Sequence, residues 1–524
     1  MGTLSPVPPL HPRHRLDATV GDVSRALWAS RRAPPSASQY VGGALACLSV
    51  RSAFDLLLAA LALPPGDEVL MTAVTHPDMA RIVEAHGLVV VTVDLDPATL
   101  APGPEELEQA AARPRVRALV VAHLFGTRCD LGPYADIAAR RGLLLVEDCA
   151  QALAGPRDHG DTRADVSLFS FGPIKTATAL GGALAWVRRP ALAAAMAAQH
   201  DRWPVQRRRQ YAARSVKALV AMALSGPRAY GLAAALASGL GTDVGELVRG
   251  APRAGEPAFT GWLRRRPCAG LVETMARRTG PGFPTERLAR RAAAGDALAA
   301  ALGGGARPGS ALASTHWLFP VTARDPAALI ADLRSCGLDA SAGATQIRAL
   351  GPAPRMQAAM AATVFVPAYP ELGPDAMGRL AAVVRRHARG GGQPVGETAA
   401  MSPAEDRPLD HSPVHTADLP ATPQRDRAIP ATAWVEAPPE VVGLGADLGH
   451  PTALYIRRIG DWLVWRAGPA AHGDARYMAL DSANLSRRCT YRLHPDGRGE
   501  GTGADGHVHQ RFRAWKESLR DAPS

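Results

Sequence analysis

The sequence predicts an α/β protein with a large domain on a largely parallel sheet, a helical insertion, a smaller α/β domain and an appended β-rich or α+β module. Three observations carry this expectation. Between residues 69 and 187, short β-rich runs alternate with helical patterns, the mark of strand–helix–strand units. Between about 201 and 280 that alternation gives way to Ala/Leu/Arg runs of helical composition. A stretch rich in Pro, Thr and Asp, opening at Gly390-Gly391-Gly392, then separates the end of the chain from the rest, and it cannot bury enough apolar surface to fold. At 524 residues the chain exceeds one ordinary core, so several domains are expected.

The elements follow in order. Residues 1–25 read as a tail; the first sixteen are rich in Pro, His and Arg and lack an apolar h-region, so no secretory signal is expected. Residues 26–200 form the large domain, with a helix over 52–63 and strands at 69–71, 88–93, 116–121, 143–147, 166–170 and 183–187. Residues 201–280 are the insertion. Its apolar stretch, 215–240, is broken by Lys217, Pro227 and Arg228, too interrupted for a membrane span of roughly 20 apolar residues. With Arg207-Arg208-Arg209 and Arg264-Arg265-Arg266, it reads either as an amphipathic pair packed on the main domain or as a basic, partly apolar surface for a phosphorylated or lipid-linked partner. Residues 281–390 hold strands near 317–321 and 364–367 and a helix over 326–336; 391–430 are the linker; 431–524 are the module, with strands at 453–456, 462–465 and 477–480 and a helix near 512–519.

Composition excludes little. The net charge of +11 favours anionic partners, although arginine-rich coding alone produces the same excess. The six cysteines show neither CxxC nor zinc-like spacing, which fits a reduced cytoplasm and gives no metal site.

The chemistry is concentrated at two strand ends. Only three lysines occur among 59 basic residues, and Lys175 follows the strand at 166–170. An amine that can lose its proton is a role arginine cannot fill. The preceding strand at 143–147 runs into Asp148, with Gln151 just beyond it. A lysine that carries pyridoxal phosphate (PLP) as a Schiff base and an aspartate that keeps its pyridine nitrogen protonated form such a pair. Asp148, Ser170 and His76 all fall just past strand ends, where open α/β sheets bind ligands.

Val146-Glu147-Asp148-Cys149-Ala150-Gln151-Ala152, Phe169-Ser170-Phe171 with Lys175, and Gly181-Gly182-Ala183 resemble the DegT/DnrJ/StrS family of PLP-dependent sugar aminotransferases. The resemblance covers roughly residues 40–389 outside the insertion. It implies the fold type I architecture of PLP-dependent transferases, a homodimer, and transfer of an amino group from a donor such as glutamate to a nucleotide-linked keto-sugar. By position it implies Lys175 as the aldimine lysine, Asp148 on the pyridinium, Gln151 on the phenolic oxygen, Ser170 on the phosphate and His76 stacked on the ring. The phosphate loop departs from the family: Ser49-Val50-Arg51-Ser52 stands where Ser-Gly-Thr is usual, so Val50 removes a close backbone approach and Arg51 offers a charged fork instead. Two alternatives stand beside this reading. One is a sugar dehydratase, in which histidine commonly replaces the lysine. The other is a degenerate PLP fold serving binding or regulation through its terminal module. Nucleic acid is not an expected partner; peripheral membrane contact through the insertion remains open.

Overall fold

The computed structural model describes residues 8–239, 241, 244 and 259–389, less 304–307, 310–312 and 343–346, and six strand segments between residues 435 and 503. The chain divides into two compact units, one of residues 1–251 with 255–396 and one of residues 252–254 with 397–524.

In the first unit the strands are β1 (Tyr40–Val41), β2 (Ala44–Cys47), β3 (Glu68–Thr72), β4 (Val74–Thr75), β5 (Val89–Val93), β6 (Val116–Ala122), β7 (Leu144–Asp148), β8 (Val166–Ser170), β9 (Ala183–Val187), β10 (Phe319–Thr322), β11 (Arg348–Ala349) and β12 (Thr363–Val366). Eight of them form one sheet in the order β1-β2-β9-β8-β7-β6-β3-β5. The run from β8 to β5 is parallel, whereas β9, β2 and β1 join antiparallel. The sheet is therefore mixed, with a parallel centre, and the six long strands lie within a residue or two of their expected places. The short β1 and β2 escape sequence reading because β1 is two residues long and Ala44–Cys47 carries no β-branched signal.

The helices of the large domain are α1 (Val20–Ala29), α2 (Val50–Leu61), α3 (Pro77–Ala85), α4 (Pro104–Ala111), α5 (Gly132–Arg141) and α6 (Pro190–Asp201). Apolar on nearly all sides, α2 is correspondingly sunk into the core, with Phe54, Leu56, Leu57 and Leu58 buried. Part of the expected tail is ordered structure. Thr19 and Asp22 form a capping box that starts α1 at Val20, and Val23 and Ala26 pack with Tyr211, Leu271 and Met275. Asp17 is buried as well.

The insertion holds α7 (Arg208–Ala223), α8 (Pro227–Gly239), α9 (Phe259–Leu263) and α10 (Ala269–Thr279). On one side α7 packs against α1 and α10, while Tyr230 of α8 donates its hydroxyl to Asp339 at 2.6 Å. No single described helix is long and apolar enough to cross a membrane. The smaller domain sets α11 (Thr285–Leu302), α12 (Pro326–Ser335), α13 (Pro354–Ala361) and α14 (Pro374–Arg389) around the antiparallel pair β10 and β12; β11 pairs with β4.

The second unit is an antiparallel meander of β13 (Val435–Glu436), β14 (Tyr455–Ile459), β15 (Trp462–Pro469), β16 (Ala475–Asp481), β17 (Arg488–Leu493) and β18 (Gly499–Gly503), each strand hydrogen-bonded to the next. The expected linker and the expected helix near 512–519 lie outside the described residues.

Candidate active site

Lys175 sits in a tight loop between β8 and β9. The loop is held by Thr178, whose hydroxyl donates to Gly172 O at 2.6 Å, by Ala177 N–H donating to Asp17 at 2.9 Å, and by Arg291 donating to Thr176 Oγ at 2.8 Å. Ala177 and Leu180 take positive φ, at 52° and 64°, a conformation that costs about 1 kcal/mol or more per non-glycine residue. Gly182 closes the loop at φ 88°, where a Cβ would lie 2.3 Å from Met275 Sδ. The lysine amine lies 3.7 Å from the centroid of the Trp317 ring, and the indole N–H donates to Ile174 O at 2.7 Å. Burial disfavours the ammonium and pulls its pKa down to about 7, against the opposing pull of Asp148.

Asp148, the last residue of β7, is buried. Its Oδ1 accepts the Ala150 N–H at 2.9 Å. Burial raises its pKa despite Ala150 and Lys175, so the carboxylate is incompletely compensated. Gln151 accepts the Phe125 N–H at 3.1 Å; Phe125 is itself held at φ 60°. Beneath them His123 and Glu147 form a buried pair at 3.0 Å. Burial opposes both charges, but Cys129 and Glu147 raise the imidazole, while His123, Ser167 and the Asp161 N–H lower the carboxyl. His123, Glu147 and Cys149 also bring three metal-ligand atoms within 4.8 Å. The Glu147 oxygens, however, are already hydrogen-bonded to His123, Ser167 and Asp161 N.

At the start of α2, Ser49 caps the helix, its Oγ accepting the Ser52 N–H at 3.1 Å, and Val50 turns into the core. The guanidinium of Arg51 donates to Asp78 at 2.5 Å and lies 4.6 Å from the Trp262 ring of α9. Its fork is thus engaged by protein groups. His76 caps α3, its Nδ1 accepting the Asp78 N–H at 3.1 Å. Ser170 ends β8, half-buried beside the loop. The sequence-expected residues thus occupy the carboxyl ends of β7 and β8 and the starts of α2 and α3. Trp317, Asp17, Arg291 and Trp262 are the additions. Nothing in their spacing ties them to Lys175 or Arg51, since packing alone brings them there.

With this geometry in place, known proteins provide a comparison. Residues 36–216 match the DegT/DnrJ/EryC1/StrS aminotransferase family. Aminotransferases of this family are PLP-dependent. The chain is 34% identical over 155 residues to GDP-perosamine synthase of Caulobacter vibrioides, covering 29% of this chain and 42% of that protein. It is also 34% identical over 165 residues to UDP-N-acetyl-3-dehydro-α-D-glucosamine 3-aminotransferase of Acidithiobacillus ferrooxidans, covering 31% of this chain and 43% of that protein. The chain therefore spans less than half the length of these curated relatives. Among solved structures, an apo-form chain from Streptococcus pneumoniae, assigned as a sugar aminotransferase, aligns over 73% of this chain and 98% of its own. Its TM-score is 0.50 at 15% identity, which shows a shared fold. The family match takes in the loop that carries Lys175 and the ends of β7 and β8.

Proposed function

We propose that this chain is a PLP-dependent aminotransferase that moves an amino group from an amino-acid donor, glutamate, to a keto-sugar carried on a nucleotide. The observation that carries the reading is the Lys175 amine, seated against the Trp317 ring in the loop after β8, together with the buried carboxylate of Asp148 at the end of the neighbouring strand β7. Bound PLP supplies the aldehyde that takes up the donor's nitrogen and a ring that accepts electrons when the donor's C–H bond breaks.

The residues present fit that group. Asp148 is a buried carboxylate in want of a cation, with one oxygen held by Ala150 and the other available in charge terms to a protonated ring nitrogen. Gln151, fixed through its carbonyl by Phe125, keeps its amide N–H groups as donors. The first-turn amides of α2 and the Ser170 hydroxyl suit a phosphate. Arg51 supports that end indirectly by neutralising Asp78. Burial favours the free amine of Lys175, so it can act as nucleophile and then take a proton from one carbon and return it to another. The Trp317 ring under its amine limits the directions in which that proton can move.

Purified protein given PLP should show a visible absorption band that glutamate bleaches and a nucleotide-linked keto-hexose restores. A protein that retains no PLP, or a band indifferent to every amino donor, would count against the assignment.

A further inference from the structure

Among the described residues, Val216, Val220, Leu232 and Leu236 are large apolar side chains exposed to solvent, and all four lie on α7 and α8. Their placement follows helical geometry. The exposed positions Arg209, Ala213, Val216, Val220 and Ala223 of α7 recur at alternating spacings of four and three, so they form one outward stripe. The opposite face buries Tyr211, Ser215 and Ala218, against α1 and α10. On α8, Arg228, Leu232 and Leu236 are exposed at a spacing of four, while Tyr230, Gly231 and Ala237 turn inward. Each stripe opens on an arginine and continues apolar.

The charge carried by these two helices has one sign. No Asp or Glu occurs anywhere in residues 202–242, and Arg207, Arg209, Lys217 and Arg228 are exposed on the same segment. A two-fold contact with a second copy would set these cations against themselves with no carboxylate to receive them. An anionic surface with an apolar interior meets both demands. The two helices are bent by 107° with respect to each other, so they do not run on as one straight span.

We propose that the outer faces of α7 and α8 dock on an anionic membrane, with the valines and leucines at the boundary of headgroups and acyl chains and the arginines and Lys217 among the phosphates. This inference does not depend on the aminotransferase reading.

The test is co-sedimentation of the full chain with phosphatidylcholine vesicles, with and without phosphatidylglycerol. Binding is expected only to the anionic vesicles and should fall as salt is raised. V220E/L236E should abolish it, and R209Q/K217Q should weaken it by about tenfold or more. All four positions are exposed, so thermal melts should stay near wild type; if V220E/L236E fails to fold, R209Q/K217Q decides. Absence of binding to anionic vesicles, or binding unchanged in the folded variants, overturns the proposal. So does a wild-type dimer that V220E/L236E converts to monomer without altering vesicle binding, which would name a second copy as the occupant.

Discussion

The amine of Lys175 rests 3.7 Å from the centre of the Trp317 ring, and the same indole, through its N–H, holds the carbonyl of the residue before that lysine at 2.7 Å. One side chain thus fixes both the backbone and the tip of Lys175. Trp317→Leu should remove the ring contact and leave Ile174 O without its donor, costing about 2 kcal/mol of stability. It should also slow reductive trapping of PLP on Lys175. Trp317→Phe keeps a ring without the N–H and should recover part of the trapping rate. Trapping at the wild-type rate in Trp317→Leu would remove Trp317 from any positioning role.

The depressed pKa of Lys175 predicts a pH profile. With a value of about 7, the free amine should increase tenfold per pH unit up to about pH 7 and then level off. Rates of PLP trapping, followed by peptide mapping, should therefore plateau above about pH 8. Only Lys217 and Lys516 compete. A rate still climbing toward pH 10 would mean an ordinary, well-hydrated lysine.

Asp148→Asn separates binding from chemistry. The neutral amide fits the same space but cannot hold a ring nitrogen protonated. PLP should still be trapped on Lys175, while turnover falls by at least about a hundredfold. Unchanged turnover would make Asp148 a structural residue.

Arg51 offers a test of indirect support. Its fork donates to Asp78 at 2.5 Å, so Arg51→Ala leaves a carboxylate beside the start of α2 without one of its cations. PLP affinity should drop roughly tenfold, and Asp78→Ala in the same chain should restore most of it. A direct contact between Arg51 and the phosphate would show no such rescue in a PLP titration.

How far the sequence reveals this site depends on where each signal lies. The strands β7 and β8 are legible because their β-branched and apolar runs end on Asp148 and Ser170, and a lysine in a chain that prefers arginine marks the following loop. By contrast, Trp317 lies 143 residues from Ile174, just before the short strand β10, in a stretch whose apolar character signals only burial. Arg51 reads as an unengaged fork until the structure brings Asp78 and Trp262 to it, one from the next helix and the other from the insertion. The helix at Val20 is hidden for a different reason: its apolar buried face is only Val23, Ala26 and Ala29, too small to stand out against a basic, proline-rich approach. Local pattern reaches strand ends and caps; it does not reach contacts made by docking one element on another.

Docking of the insertion on α2 also predicts how the protein responds to acid. Asp55 of α2 has a side chain with no exposure, and it accepts hydrogen bonds from Arg264 Nε at 2.9 Å and Nη2 at 3.1 Å, with His86 Nε2 at 2.9 Å. Burial alone would raise its pKa, but His86 and Arg264 outweigh burial and lower it. A carboxyl whose folded pKa lies below its unfolded value binds its proton more weakly in the folded state. Its stabilisation is therefore complete above the unfolded value near 3.9 and is lost as pH falls through the folded one. Asp55→Asn should cost about 3 kcal/mol at neutral pH, because the change strips one partner from a buried ionic cluster. The gap between wild type and variant should then narrow as pH falls below about 4. Urea unfolding of both proteins across that range measures the gap directly. A gap that stays constant down to pH 2 would mean that Asp55 is not the ionised partner of Arg264 and that the return of the insertion is held on α2 by packing alone.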